Sequence, residues 1–166
     1  MTSLSETSLL AGSSGVSTGY TIDQSIRFND NDSAFMKKDY SGDGSQTTFT
    51  LSGWFKLGVL SSTHCLFATG YLNGTTADFA LYMNGDQIYF YGSYDGTNSQ
   101  ANRLETTQLF RDHSAWYHIV FVADTTNIIS RERLRLYVNG SRVTAFDTET
   151  YPSQNDTLRW GDATYT

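Results

Sequence analysis

The chain has 166 residues, of which 39% are hydrophobic, 14% aromatic and only 17% charged, and its formal net charge is -6. That length suits one domain, or one domain with a tail, and folding it buries about 70% of the unfolded surface, so a core forms without disulfides. The single cysteine, Cys65, excludes an internal bridge, and the acidic balance argues against nucleic acid as the partner.

Residues 1–19, MTSLSETSLLAGSSGVSTG, are Ser, Thr and Gly with one weak apolar pair. Such a segment buries too little surface to offset its ordering entropy, so it reads as a flexible arm before a domain spanning 20–166. From Tyr20 the period is two. Tyr20, Ile22, Gln24, Ile26 and Phe28 alternate with polar residues, which predicts a half-buried strand, and a short strand at 34–37 follows. Residues 39–46, DYSGDGSQ, form a loop. In 48–56, Phe49, Leu51, Gly53 and Phe55 share one face, while Thr48, Thr50, Ser52, Trp54 and Lys56 share the other. Gly53 inside a strand signals a bulge or a close approach.

Further strand patterns run over 64–72, 77–94, 103–110, 115–124, 133–146 and 157–160. Two short Asn-Gly turns join alternating segments. Tyr82 and Met83 meet Ile88 and Tyr89 across Asn84-Gly85-Asp86, and Tyr137 and Val138 meet Val143 across Asn139-Gly140. About ten short strands with hardly any helical period specify an all-β sandwich of two antiparallel sheets. No apolar run reaches the roughly 18 residues of a membrane span, and residues 1–19 lack the plan of a signal peptide.

Three segments, SGWFK (52–56), AWYHIVFVADTT (115–126) and LRLYVNGSRV (134–143), resemble in order and spacing the concanavalin A-like lectin/glucanase superfamily, in its laminin-G and pentraxin-like branch. The opening, YTIDQSIRFNDNDSAFMKK (20–38), is similar to copies carried by tailed-phage virion proteins. The resemblance implies a jelly-roll sandwich in which Trp54, Trp116, Tyr137, Asn139 and Gly140 define the fold, the two indoles bridging sheets about 10 Å apart. In that branch the chain continues past the equivalent of Trp160, so the sandwich is expected to be incomplete at its C-terminus unless another segment closes it.

Enzymes of the superfamily use an acidic strand motif, Glu-x-Asp-x-x-Glu or Glu-x-Asp-x-Glu, which sets carboxylates on one face. That spacing does not occur here, and the nearest pair is Asp147 and Glu149, so no catalytic residues and no enzyme are expected. His118 alternates with Trp116, Val120 and Val122 and reads as a satisfied core or inter-sheet histidine. Asp39, Ser41 and Asp43 have the donor spacing of half an EF-hand loop, but Thr50 stands where a bidentate Glu belongs. Plain turn formers are the first reading, and Ca²⁺ bound there is the alternative; no other cofactor is expected. Asn31, Asn73, Asn139 and Asn155 begin Asn-x-Ser/Thr sequons that read as turn composition.

Tyr89 and Tyr91 share the face of a strand opposite Ile88 and Phe90, and a loop with Tyr94, Asp95 and Asn98 follows. Aromatic faces beside Asn and Asp donors are the usual means of holding a sugar, so these five residues are the expected glycan site. The function expected is a non-enzymatic virion component assembled in the host cytoplasm: a tail fibre, an appendage or a capsid decoration. Its partners would be other virion subunits, as a homo-oligomer, and a surface glycan. A purely structural head or tail subunit is the alternative, and a polysaccharide hydrolase the third reading.

Overall fold

The computed structural model describes residues 25–29, 32, 34–69, 79–92, 102–161 and 163. The chain divides into two units, Met1–Lys37 and Lys38–Thr166. In the first unit the described residues are exposed and none is in a strand. Ile26, Phe28, Phe35 and Met36 all lie more than half open to solvent. The strands expected at 20–28 and 34–37 are therefore not formed over 25–28 and 34–37, and 20–24 lie outside the described residues. An alternating pattern supplies a face, but a strand also needs a ladder partner.

The second unit holds nine described strands: β1 (Thr48–Phe55), β2 (His64–Thr69), β3 (Phe79–Asn84), β4 (Gln87–Gly92), β5 (Asn102–Thr106), β6 (Tyr117–Asp124), β7 (Leu134–Val138), β8 (Ser141–Arg142) and β9 (Phe146–Thr150). A 3-10 turn, Ser130–Glu132, precedes β7. They form a four-stranded sheet in the order β1-β6-β7-β8 and a five-stranded sheet in the order β2-β3-β4-β5-β9, and every pairing is antiparallel. The expected two-sheet all-β sandwich is what forms.

Alternation decides what lies between the sheets. Leu51, Ile119, Phe121, Leu134 and Leu136 turn inward from one sheet, and Phe79, Leu81, Met83, Ile88, Phe90 and Leu104 from the other. Phe79 is at the centre, with its ring 5.6 Å from Phe49, 5.2 Å from Phe90, 5.8 Å from Phe121 and 5.1 Å from Trp160. Gly53 is a close approach and not a bulge, because the β1–β6 register is unbroken and a Cβ there would come within 2.8 Å of the Phe55 ring.

Both hairpin turns form, the first with the pairing read for it and the second with Tyr137 opposite Arg142 and Val138 opposite Ser141 instead of Val143. Tyr82 pairs with Tyr89 and Met83 with Ile88, and the turn residues Gly85 and Asp86 have φ of 56° and 70°. Asn139 and Gly140 have φ of 51° and 79°, the same mirror-image turn. Asp86 is buried, and its carboxylate accepts from the Ser61 amide, the Ser61 hydroxyl and Arg111 Nε. Its own carbonyl accepts from Phe110 N at 2.7 Å. One turn residue thus ties two loops to the β3–β4 hairpin.

Residues 157–160 form no strand, yet they contribute to the core: Leu158 is fully buried and the Trp160 indole packs on Phe49, Phe67 and Phe79. The segment is held by Leu158 N donating to Gln46 O and Gly44 N donating to Gly161 O, both at 2.9 Å. Gly161 has φ of 71°, a conformation that glycine adopts without strain.

The structure corrects the expectation that Trp54 and Trp116 bridge the sheets, since they are 53% and 47% exposed. Trp54 points outward from β1 and Trp116 lies just before β6, and the indole that reaches between the layers is Trp160. Substituting Phe79→Ala should cost about 3–5 kcal/mol in urea unfolding, while Trp54→Ala should cost about 1 kcal/mol or less, because only the first empties a packed core position. The order of these two values checks the correction.

The Ser61 amide, aided by Arg111, holds the Asp86 carboxyl below its ordinary value of 3.8. A carboxyl lowered in the folded state contributes stability that is present above the ordinary value and lost as pH falls through the lowered one. Asp86→Asn tolerates the positive φ but carries no charge. Its melting temperature should therefore fall less steeply than the parent's as the pH is lowered from about 5 to about 3.

Candidate functional site

The outer face of the five-stranded sheet follows from the same alternation. With Ile88 and Phe90 inward, Tyr89 and Tyr91 point outward; with Leu81 and Met83 inward, Tyr82 points outward; with Leu104 inward, Arg103 and Glu105 point outward. The register then aligns Cys65, Tyr82, Tyr89, Glu105 and Thr148 in one row across all five strands. A second row places Ala80, Tyr91, Arg103 and Thr150 side by side. Five strands at about 4.8 Å make a face about 19 Å wide.

The tyrosines form one cluster. Tyr82 stacks on Tyr89 with ring centroids 5.4 Å apart and meets Tyr91 edge to face at 5.5 Å. The Arg103 guanidinium lies 5.5 Å over the Tyr89 ring, so Tyr89 is held between Tyr82 and Arg103. Glu105 accepts from the Tyr89 hydroxyl, from Arg103 Nη2 at 2.9 Å and from the Thr148 hydroxyl at 3.1 Å. The hydrogen bond to Glu105, and then burial, push the Tyr89 phenol above its ordinary range. Burial is the main cause of the same upward shift at Tyr82 and Tyr91. The result is a fixed array of neutral hydroxyls and one internally neutralised ion pair.

Of the expected glycan residues, the structure brings Tyr89 and Tyr91 together; Tyr94, Asp95 and Asn98 lie outside the described residues. Tyr82, Arg103, Glu105 and Thr148 were not anticipated. The hairpin through Gly85 and Asp86 already places Tyr82 opposite Tyr89, and that register was the available signal for it. Of the expected calcium donors, Asp43 accepts through Oδ1 from Ala163 N at 2.9 Å, and so clasps the segment after Trp160. Asp39 and Ser41 are exposed. Among the described residues no three His, Cys, Asp or Glu side chains converge as metal ligands.

The acidic pair on β9 is also engaged. Asp147 Oδ2 accepts from Gln87 Nε2 at 2.7 Å, and Glu149 accepts from the Tyr151 hydroxyl at 3.0 Å. Burial, then that bond to Glu149, push the Tyr151 phenol up to about 12. A separate cleft of about 380 Å³ lies at the β8 end of the sandwich, lined by Phe110, Tyr117, Val138, Asn139 and Arg142 among others, and shares no residue with the tyrosine face.

A phenol with a raised folded value contributes stability that is complete below the ordinary value of 10.0 and is lost as pH rises through the raised one. Glu105→Gln removes the charge that Tyr89 faces. Tyr89 should then ionise at lower pH in an ultraviolet titration of the folded protein, and Tyr82, which the Glu105 charge also raises but as a lesser cause, should shift the same way by less. An unchanged curve would mean that Glu105 does not govern Tyr89.

A model of the laminin G type, described as concanavalin A-like lectin/glucanases superfamily, matches residues 23–165. No curated protein matches the chain. With two antiparallel sheets forming a sandwich and a family match over most of its length, the chain belongs to the concanavalin A-like lectin/glucanases superfamily.

Proposed function

We propose that the domain is a non-enzymatic binding module of a virion, carried on a tail fibre, an appendage or the capsid surface, and that its outer tyrosine face contacts host-surface or environmental glycans. The observation that carries this reading is the row of Tyr82, Tyr89, Glu105 and Thr148, flanked by Tyr91 and Arg103. Sugars are held by aromatic surface beside well-placed hydroxyl and amide partners, and this array presents both on a rigid sheet. Its width matches a chain of several sugar residues. The virion setting draws on the likeness of 20–38 to segments of tailed-phage virion proteins.

The non-enzymatic part of the reading is supported by the carboxylates. Glu105 is saturated by three donors, and Asp147 and Glu149 are each bonded to a neighbour, so none is poised as an acid opposite a nucleophile. A purely structural subunit is the second reading. The exposed Ile26, Phe28, Phe35 and Met36 of the first unit favour it, since such side chains suit contacts with other subunits.

A glycan array with the full chain tests the two against each other. Glycan contact through the tyrosine face predicts a restricted set of bound saccharides, of which those held by that face are lost in Tyr91→Ala without a change in melting temperature. A blank array, together with concentration-dependent association abolished by Phe35→Ser and Met36→Ser, would leave the structural reading. Release of reducing ends from a β-glucan would overturn the non-enzymatic one.

A further inference from the structure

The outer face of the four-stranded sheet carries a second aromatic group. Trp54 and His118 are directly opposite one another on β1 and β6, and their rings stack with centroids 4.8 Å apart and planes 22° from parallel. His118 is held at its ring and at its backbone. Its Nε2 is 3.0 Å from Ser52 Oγ, and the His118 backbone amide donates to Asn139 Oδ1 at 2.9 Å while Asn139 N donates to His118 O at 2.8 Å. Trp54 is nevertheless 53% exposed. With one face of the indole on His118, the exposed surface is the other face.

Trp116 extends the group. Tyr117 turns inward, its ring edge-on to Phe110 at 5.5 Å, so Trp116 shares the outward side with His118 and is 47% exposed. Trp116 lies two residues before His118, which faces Trp54, so the two indoles are diagonal neighbours about 7–8 Å apart, of the order of one sugar residue's length. The neighbouring outward positions, Thr50, Ser52, His118 and Val120, include no carboxylate.

We infer that this face is a second saccharide site, in which the free face of Trp54 stacks on a neutral pyranose ring, Trp116 takes the next ring, and the Ser52–His118 pair bonds ring hydroxyls. Two open indole faces match the apolar C–H surface of a pyranose, while a hydroxyl and an imidazole beside them match its O–H groups. An apolar peptide would cover the Ser52–His118 pair without bonding the hydroxyl's remaining positions, which disfavours it. Trp54 is already held by His118, so little side-chain freedom is lost on binding. The inference takes its ligand class from the glycan-contacting reading, but the site lies on the opposite sheet from the tyrosines.

Titration of the full chain with cellohexaose, laminarihexaose and maltohexaose, followed by tryptophan fluorescence and calorimetry, tests it. At least one probe should quench or shift the emission saturably. Trp54→Ala should weaken that binding about tenfold and Trp54→Phe by less, each with a melting temperature within a few degrees of the parent's, while Tyr91→Ala leaves the tryptophan response intact. Binding that survives Trp54→Ala and is lost in Tyr91→Ala would overturn this site and leave the tyrosine face. No binding of any probe would overturn both. A sedimentation change in Trp54→Ala without a sugar response would mean that the face packs against a second copy, and would overturn it as well.

Discussion

Gly85 and Asp86, both at positive φ, form a turn whose twist matches that of the strands it joins, and this fixes β3 against β4 residue by residue. In a sheet the side-chain period is two, so a slip of one residue would carry Tyr82 into the core and Met83 out of it. The pairings that extend from β3 and β4 to β2, β5 and β9 inherit that register. The buried Asp86 carboxylate serves the same constraint from outside the ladder, since it draws Ser61 and Arg111 onto the turn.

The two sheets use their shared interior and their outer faces in different ways. Inside, contact is between rings and branched aliphatic chains, and the cost of change is set by volume, as around Phe79. Outside, order comes from side chains that satisfy one another: Glu105 among Tyr89, Arg103 and Thr148 on one sheet, and His118 between Trp54 and Ser52 on the other. Both outer clusters are rigid before any partner arrives, which is a condition for specific recognition without a large ordering cost.

Much of the fold and part of the candidate site were legible in the residues. The alternation in 48–56 put Leu51 and Trp54 on opposite faces without saying which was inner; the structure turns Leu51 inward and Trp54 outward, so the expectation, taken from family likeness, that Trp54 bridges the sheets gave way. The pairing of Tyr82 with Tyr89 was legible from the turn alone. Trp160 was not, because its place depends on backbone bonds to residues 44–46, and a pairing so distant along the chain leaves no local signature. The pattern at 20–28 misled for the reverse reason, as it carries a strand's periodicity without a partner over its described residues.

The same distant pairing has a kinetic meaning. Gln46 and Leu158, and Gly44 and Gly161, are bonded across most of the second unit, and Leu158 and Trp160 fill space beside Phe49 and Phe79 that no nearer residue occupies. Closing that loop delivers its enthalpy only after nearly all intervening chain is ordered, which places this domain among slow folders of high contact order. During synthesis the Phe49, Phe67 and Phe79 rings lack the indole that packs on them until residue 160 has left the ribosome, so that part of the core is the last to be covered.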